Sequence, residues 1–312
     1  MKAALAARWT LSRRLLLAIY VIVPLAWLAV IGDLVLFDGG LRRALPESPE
    51  ELAWFTAFFV LPHILASQFS FYDREYLGAY RLPLLWGVPF VLAGAGLLYV
   101  FDAGTAGLIY IAVTMWHVIA QQVGIAGALA GRGSRAFEWW KWLTVVVFTL
   151  GLTGVAGTWL AWIGAPLMVA TTGLTIGVAR VAAPGIGRQY LWATQAMSLS
   201  AGLFAEAGYL FFAILVPRVV HDVTGWAFYL THDHNRNLDT PRNVLYRAFA
   251  FSRLPVPVVV LVLAIAVNVS MDRSLGRAFE PVILAVSLFH YFTESFMWRR
   301  SSIHRRYVAF SA

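Results

Sequence analysis

Four histidines lie where a lipid-exposed helix would carry none. His63, His117, His221 and His290 each stand near the middle of an apolar run. An ionisable side chain in hydrocarbon is costly, so each is a functional hypothesis by default, and neutral imidazole is the commonest side-chain metal ligand. Counted back from segment ends at about residues 72, 130, 231 and 298, the four lie 9, 13, 10 and 8 residues in. At helical rise these are depths of roughly 12–20 Å. The pattern predicts that the four converge on one buried centre holding a metal or a haem. The competing readings are a proton relay or transport path, and interhelical hydrogen bonding.

The next turn toward the cytoplasm repeats the theme. Ser67 with Gln68 follows His63, Gln121 follows His117, Gly225 follows His221, and Glu294 follows His290. At a spacing of four these residues share a helix face with their histidines. Gln121 and Glu294 are therefore the candidate catalytic groups. Glu294 is expected to accept a hydrogen bond from the distal N–H of a liganding histidine, with direct ligation or an ion pair to Arg299 or Arg300 as alternatives. Arg218 precedes Asp222 by four residues, which predicts a charge pair that neutralises both. His232 and His234 read as an interfacial helix end closed by Asp233 and Asn235, or else as a second metal or substrate-end site. His304, among Arg299, Arg300, Arg305 and Arg306, reads as part of a solvated basic tail.

Composition says what must hold these residues. Of 312 residues, 60% are hydrophobic and 13% charged, far from the roughly one-quarter charged composition of a soluble domain. The absence of cysteine removes disulfides, thiolate metal sites, iron–sulfur clusters and cysteine nucleophiles together. Ten apolar segments can be drawn, at about 15–37, 52–72, 82–101, 107–130, 139–160, 162–180, 188–202, 206–231, 255–271 and 281–298. Gly202, Glu206 and Gly208 mark the turn between the seventh and eighth. With the N-terminus inside, 19 of the 24 Lys and Arg residues fall on the cytoplasmic side, as the positive-inside rule requires. The +8 charge is thus topological, with anionic lipid headgroups as its partners and no nucleic acid. The expected fold class is all-α: residues 1–312 as a single integral-membrane domain, a polytopic transmembrane bundle of about ten helices with both termini cytoplasmic.

Isolated mid-helix histidines, beginning with Pro62-His63 and continuing through Trp116-His117, resemble the pattern of the Brp/Blh-type β-carotene 15,15′-dioxygenases and their relatives. The run from His290 to Trp298, His-Tyr-Phe-Thr-Glu-Ser-Phe-Met-Trp, is similar to an element of those relatives. The resemblance is scattered along most of the chain. It implies a helical membrane bundle with an all-histidine Fe(II) centre that uses O2 to split a carotenoid double bond. On that basis His63 would be a ligand, joined by His117 and by His221 or His290. Two departures stand: a family pair of histidines one turn apart on one helix has no counterpart, and Ile64 to Gln68 replaces the small-residue and Asp pattern after the early Pro-His.

The resulting expectation is a metal-dependent oxygenase or other oxidoreductase in a bacterial inner membrane, with His63, His117, His221 and His290 as ligands and a lipid-soluble substrate. Trp116, Trp226, Phe289, Tyr291 and Phe292 could wall an apolar substrate tunnel. The alternatives are a haem-binding electron-transfer protein and a transporter whose path is lined by His, Gln and Glu. No P-loop, Gly-x-Gly-x-x-Gly or Gly-x-Ser-x-Gly pattern is present, so any redox chemistry must use an embedded group or a partner.

Overall fold

The computed structural model describes residues 8–100, 103–130, 135–152, 164–182, 184–249, 254–275, 279–299 and 301–311. Ten main helices lie among them: α1 (Arg13–Leu36), α2 (Ala53–Tyr72), α3 (Arg81–Val100), α4 (Ala103–Ala130), α5 (Arg135–Leu152), α6 (Ala165–Val181), α7 (Ile186–Glu206), α8 (Leu210–Arg236), α9 (Val256–Leu275) and α10 (Phe279–Met297). Each apolar segment of the sequence thus contains a helix. Five helical stretches, Arg13–Leu36, Ala53–Tyr72, Arg81–Leu98, Ala112–Leu129 and Leu210–Arg236, are long and apolar enough to cross a membrane. Shorter apolar helices cover Ala165–Val181, Val258–Val267 and Val282–Met297. The fold is all-α, apart from a two-residue parallel pairing of β1 (Leu11–Ser12) with β2 (Phe310–Ser311).

Exposure is inverted relative to a water-soluble protein. Phe90 is 76% exposed and Trp86 75%, whereas Asp33 is 1% exposed. Lipid solvates an apolar surface but satisfies no polar group, so polar side chains turn inward. In α1 the buried positions Leu16, Tyr20, Val23, Ala26, Val30 and Asp33 recur at three or four residues. One face of an almost wholly apolar helix is therefore buried, and it carries the polar groups of Tyr20 and Asp33.

The helices fall into two compact units. The first comprises Met1–Ser12, Ala53–Ala103 and Asp222–Ala312; the second comprises Arg13–Leu52 and Gly104–His221. Within the first, α3 packs on α10, and α9 and α10 pack on α2. A Cβ at Gly87 of α3 would come within 1.9 Å of the Phe292 ring of α10, so only glycine admits this approach. Within the second, α5, α6 and α7 pack on one another, and α1 packs on α7.

Helix ends follow local chemistry. Asp73 caps the short helix Arg74–Ala79 by accepting from Glu75 N at 2.9 Å, and Asn243 caps Val244–Ala248 the same way, each satisfying an orphan N–H. Gly208, at φ +77°, supplies the turn between α7 and α8 read from the sequence. α8 continues to Arg236, beyond the expected end near residue 231. Asp233 and Asn235 therefore lie inside the helix rather than closing it.

Candidate metal centre and its surroundings

The first unit builds its site where α2 departs from regular geometry. Thr56–Val60 form a π-helical turn, followed by Leu61, Pro62 and His63. Pro62 has no N–H and its ring crowds the carbonyl four residues back, so the preceding turn widens. His63 turns back along the same helix: its Nδ1 is 3.2 Å from Phe59 O. The Asp222 carboxylate on α8 lies 3.4 Å from the same nitrogen. Both neighbours accept, so the proton belongs on Nδ1 and the ring lone pair on Nε2.

His290 on α10 reaches the same state by another route. Its Nδ1 is 2.9 Å from Ser67 Oγ, and Ser67 donates its own hydrogen to Ile64 O at 2.6 Å. With that hydrogen committed, Ser67 accepts from Nδ1, and Nε2 again carries the lone pair. The His63 and His290 rings meet edge to face with centroids 4.9 Å apart, and a ligand nitrogen of each lies within 4.8 Å of the other's. His63, Ser67, Asp222 and His290 are all buried.

Glu294 stands one turn beyond His290. Its Oε1 accepts from Tyr229 OH at 2.7 Å and from Trp298 Nε1 at 3.3 Å. The same oxygen is 4.0 Å from His290 Nε2. Ser67 takes the distal N–H of His290, so Glu294 faces the ligating side of that ring. Two imidazoles with Nε2 lone pairs and a buried carboxylate beside one of them form a donor set suited to a divalent cation.

The second unit carries the other pair. His117 on α4 and His221 on α8 are buried and meet edge to face with centroids 4.8 Å apart. Gln121 is half-buried and accepts from Gln122 Nε2 at 3.0 Å. Gln122 is the better anchored of the two, because its Oε1 accepts from Tyr190 OH at 2.5 Å and Tyr20 OH at 3.1 Å. Arg218 lies 3.2 Å from Glu50. The expected reading of Arg218 and Asp222 as a mutual pair omitted both Glu50 and His63, partners within their own units that spacing along α8 could not reveal.

The largest correction concerns the histidines assigned to the interface and tail. His232 is buried, with Nδ1 2.7 Å from Asp233 Oδ1 and Nε2 2.7 Å from Tyr76 OH. His304 is also buried rather than solvated. It stacks on Tyr76 at 3.9 Å and on His232 at 4.7 Å, and its Nδ1 is 2.9 Å from Tyr80 OH. His234 stacks on Trp9 at 4.1 Å. Arg236 binds Asp73 at 2.9 Å, Glu75 at 2.6 Å and Tyr307 OH at 2.5 Å. Asn235 holds the backbones of Trp9 and Tyr307, tying both end segments of the chain to α8. Burial, then the neighbouring His232 and Arg236, hold His304 well below the usual histidine range. The Arg236 guanidinium holds Glu75 below the usual carboxylate range.

Sequence reasoning missed Tyr76, Tyr229 and Trp298 as partners of these groups. The spacing Asp222, Trp226, Tyr229 marks one face of α8 and could have flagged Tyr229. Trp226 and Phe292, read as tunnel walls, pack against the apolar cluster of Leu61, Phe69, Tyr76 and Tyr229. Comparison with protein-family models, curated proteins and solved structures returns no match.

Proposed function

We propose that this chain is an integral-membrane, metal-dependent oxidoreductase acting on a lipid-soluble substrate, with Fe(II) as its metal and O2 as co-substrate. The supporting observation is the matched state of His63 and His290. Each has its Nδ1 proton engaged by an acceptor, which puts the lone pair on Nε2, and in His290 that nitrogen lies 4.0 Å from Glu294. A histidine serving only as interhelical glue has no need of two separately built acceptors that enforce one tautomer. Outer partners of this kind fix ring orientation and raise ligand basicity. His117 and His221 form a second candidate ligand pair within the other unit.

The chain's own residues have distinct tasks. Phe59 O and Asp222 orient His63, and Ser67 orients His290. Glu294, gripped by Tyr229 and Trp298, keeps negative charge beside Nε2 of His290, which favours a cation there. Gln121 is the polar group one turn from His117. Buried Leu61, Ile64, Leu65 and Ala66 around His63 and Ser67 exclude water and strengthen each electrostatic contact. Bound Fe(II) supplies O2 chemistry directed at an alkene or C–H bond. The resemblance to the Brp/Blh-type enzymes makes a carotenoid the first substrate to try and a bacterial inner membrane the setting. The pairing of Leu11–Ser12 with Phe310–Ser311 keeps these two segments together, which supports an even number of crossings between them; the Lys and Arg bias makes their side the cytoplasmic one.

A haem between the rings of either pair is opposed by their geometry, since axial imidazoles must flank a macrocycle plane and these rings meet edge to face at 4.9 and 4.8 Å. The test is incubation of Fe(II)-loaded, detergent-purified protein with β-carotene under O2. Loss of carotenoid absorbance with matching aldehyde formation is expected. Oxidation of other unsaturated lipids but not carotenoid would move the substrate class. A Soret band in the purified protein, or ion flux through reconstituted vesicles without O2 uptake, would overturn the reading.

A further inference from the structure

A buried tyrosine gives up an electron readily only if its phenolic proton can leave at the same moment, which requires a base already hydrogen-bonded to the hydroxyl. Tyr76 has one. His232 Nδ1 faces Asp233 Oδ1 at 2.7 Å and its Nε2 faces Tyr76 OH at 2.7 Å. The carboxylate claims the Nδ1 proton, so Nε2 accepts from the phenol. A proton arriving on Nε2 would form an imidazolium already facing Asp233, which Tyr246 also holds. Burial raises the Tyr76 hydroxyl above its ordinary range, so phenolate is scarce and oxidation must proceed by coupled proton transfer.

Aromatic rings continue from this pair toward the metal centre inside the same unit. His304 lies against Tyr76 and His232 at 3.9 and 4.7 Å. Trp298 meets His304 at 5.9 Å and His232 at 6.1 Å. Trp298 in turn is 5.2 Å from Tyr229, and both donate to Glu294, whose Oε1 is 4.0 Å from His290 Nε2. No step from Tyr76 to His290 exceeds 6.1 Å. A purely structural clamp could be built from Arg236 and Asn235, and it needs neither the oriented base on Tyr76 nor the unbroken run of rings.

We propose that Tyr76 and His232 form a proton-coupled redox relay that carries electrons one at a time to the His290/Glu294 centre. The relay rests on the reading of that centre as a metal site. In the first step Tyr76 would give one electron, by way of Trp298, to a one-electron oxidant stronger than the tyrosyl radical, formed from O2 at that centre. Its O–H bond breaks, and the proton forms an N–H bond on His232 Nε2. The products are a neutral tyrosyl radical, an imidazolium paired with Asp233, and the oxidant reduced by one electron. In the second step a reduced one-electron carrier protein returns an electron to Tyr76, and the proton goes back from His232. The sum is one electron from carrier to oxidant, with no net proton change.

The experiment is flash photolysis of the full-length, metal-stripped protein in detergent with a ruthenium polypyridyl photo-oxidant and a sacrificial quencher, followed by EPR. A tyrosyl radical is expected whose formation slows in D2O, is slower in His232→Gln, and is lost in Tyr76→Phe. Tyr246→Phe, which keeps both Tyr76 and His232, should retain the signal. An unchanged radical in Tyr76→Phe, or no radical in the folded wild type, overturns the relay. In metal-loaded protein exposed to O2 without lipid-soluble substrate, oxidation of a reduced external one-electron donor should be slower in Tyr76→Phe at unchanged metal content; an unchanged rate also overturns it. Wild type that forms the Tyr76 radical but binds no metal overturns the metal reading instead, so the two failures are distinct.

Discussion

Two buried histidine clusters occupy the same unit and differ in what their ring nitrogens do. At His63 and His290 the Nδ1 of each ring is engaged by an acceptor, Phe59 O or Ser67 Oγ, and a ligand nitrogen of each ring lies within 4.8 Å of the other's. At His232 both nitrogens are engaged inside the cluster, by Asp233 and Tyr76, and the His304 ring lies flat against Tyr76 and His232. Flat stacking directs ring lone pairs sideways, away from any shared point, whereas the edge-to-face contact of His63 and His290 suits ligands converging on one ion. Burial alone therefore does not make a metal ligand; the convergence of ring nitrogens from different helices decides.

The widest separation of the two clusters should come from Arg236→Ala. It leaves the Asp73 carboxylate buried without its guanidinium, a change that typically costs about 3–5 kcal/mol. Thermal unfolding in detergent should show a large drop, while protein purified below that temperature keeps its metal; metal loss from folded protein would mean the clusters are one device. Ser67→Ala is the converse probe. It removes the acceptor on His290 Nδ1 and should weaken Fe(II) binding by about 10–100-fold, the usual effect of losing an outer partner, with little change in melting temperature. An unaltered affinity in a titration would deny Ser67 its orienting role.

Glu294→Gln sharpens the centre further. Its amide oxygen can still accept from Tyr229 and Trp298, so the variant should retain most metal and lose turnover. Complete loss of metal would make Glu294 a direct ligand. The mildest effect concerns His304. Its folded pKa lies below the ordinary value because of burial, so an undocked tail binds more protons below about pH 6.5. Docking of the tail is therefore intact above that pH and weakens as pH falls below it. Hydrogen-exchange protection factors over residues 301–311, corrected for the intrinsic rate, should fall on acidification in the wild type and lose this dependence in His304→Phe.

The parts legible in the sequence are those that local chemistry dictates. Apolar runs located the helices, Gly208 marked a turn, and mid-helix His63, His117, His221 and His290 proved to be buried and to meet in two pairs. What escaped depends on contacts distant in the chain. His304 stands among four arginines, which reads as solvent, yet Tyr76 and Tyr80 more than 200 residues away bury it. Glu50 looked like an external loop acid until Arg218 was found beside it. Helical spacing placed Glu294 near His290 but gave no sign that Ser67 had already taken the distal N–H.

The central claim is that His63 and His290 hold a divalent metal through Nε2. Elemental analysis of detergent-purified, folded protein tests it most directly, comparing wild type with His63→Ala, His290→Ala and His232→Ala. The account expects stoichiometric transition metal in the wild type and in His232→Ala, and its loss from both variants of the centre. Metal-free wild type that binds no added Fe(II), or metal retained in full by His63→Ala and His290→Ala, would contradict it.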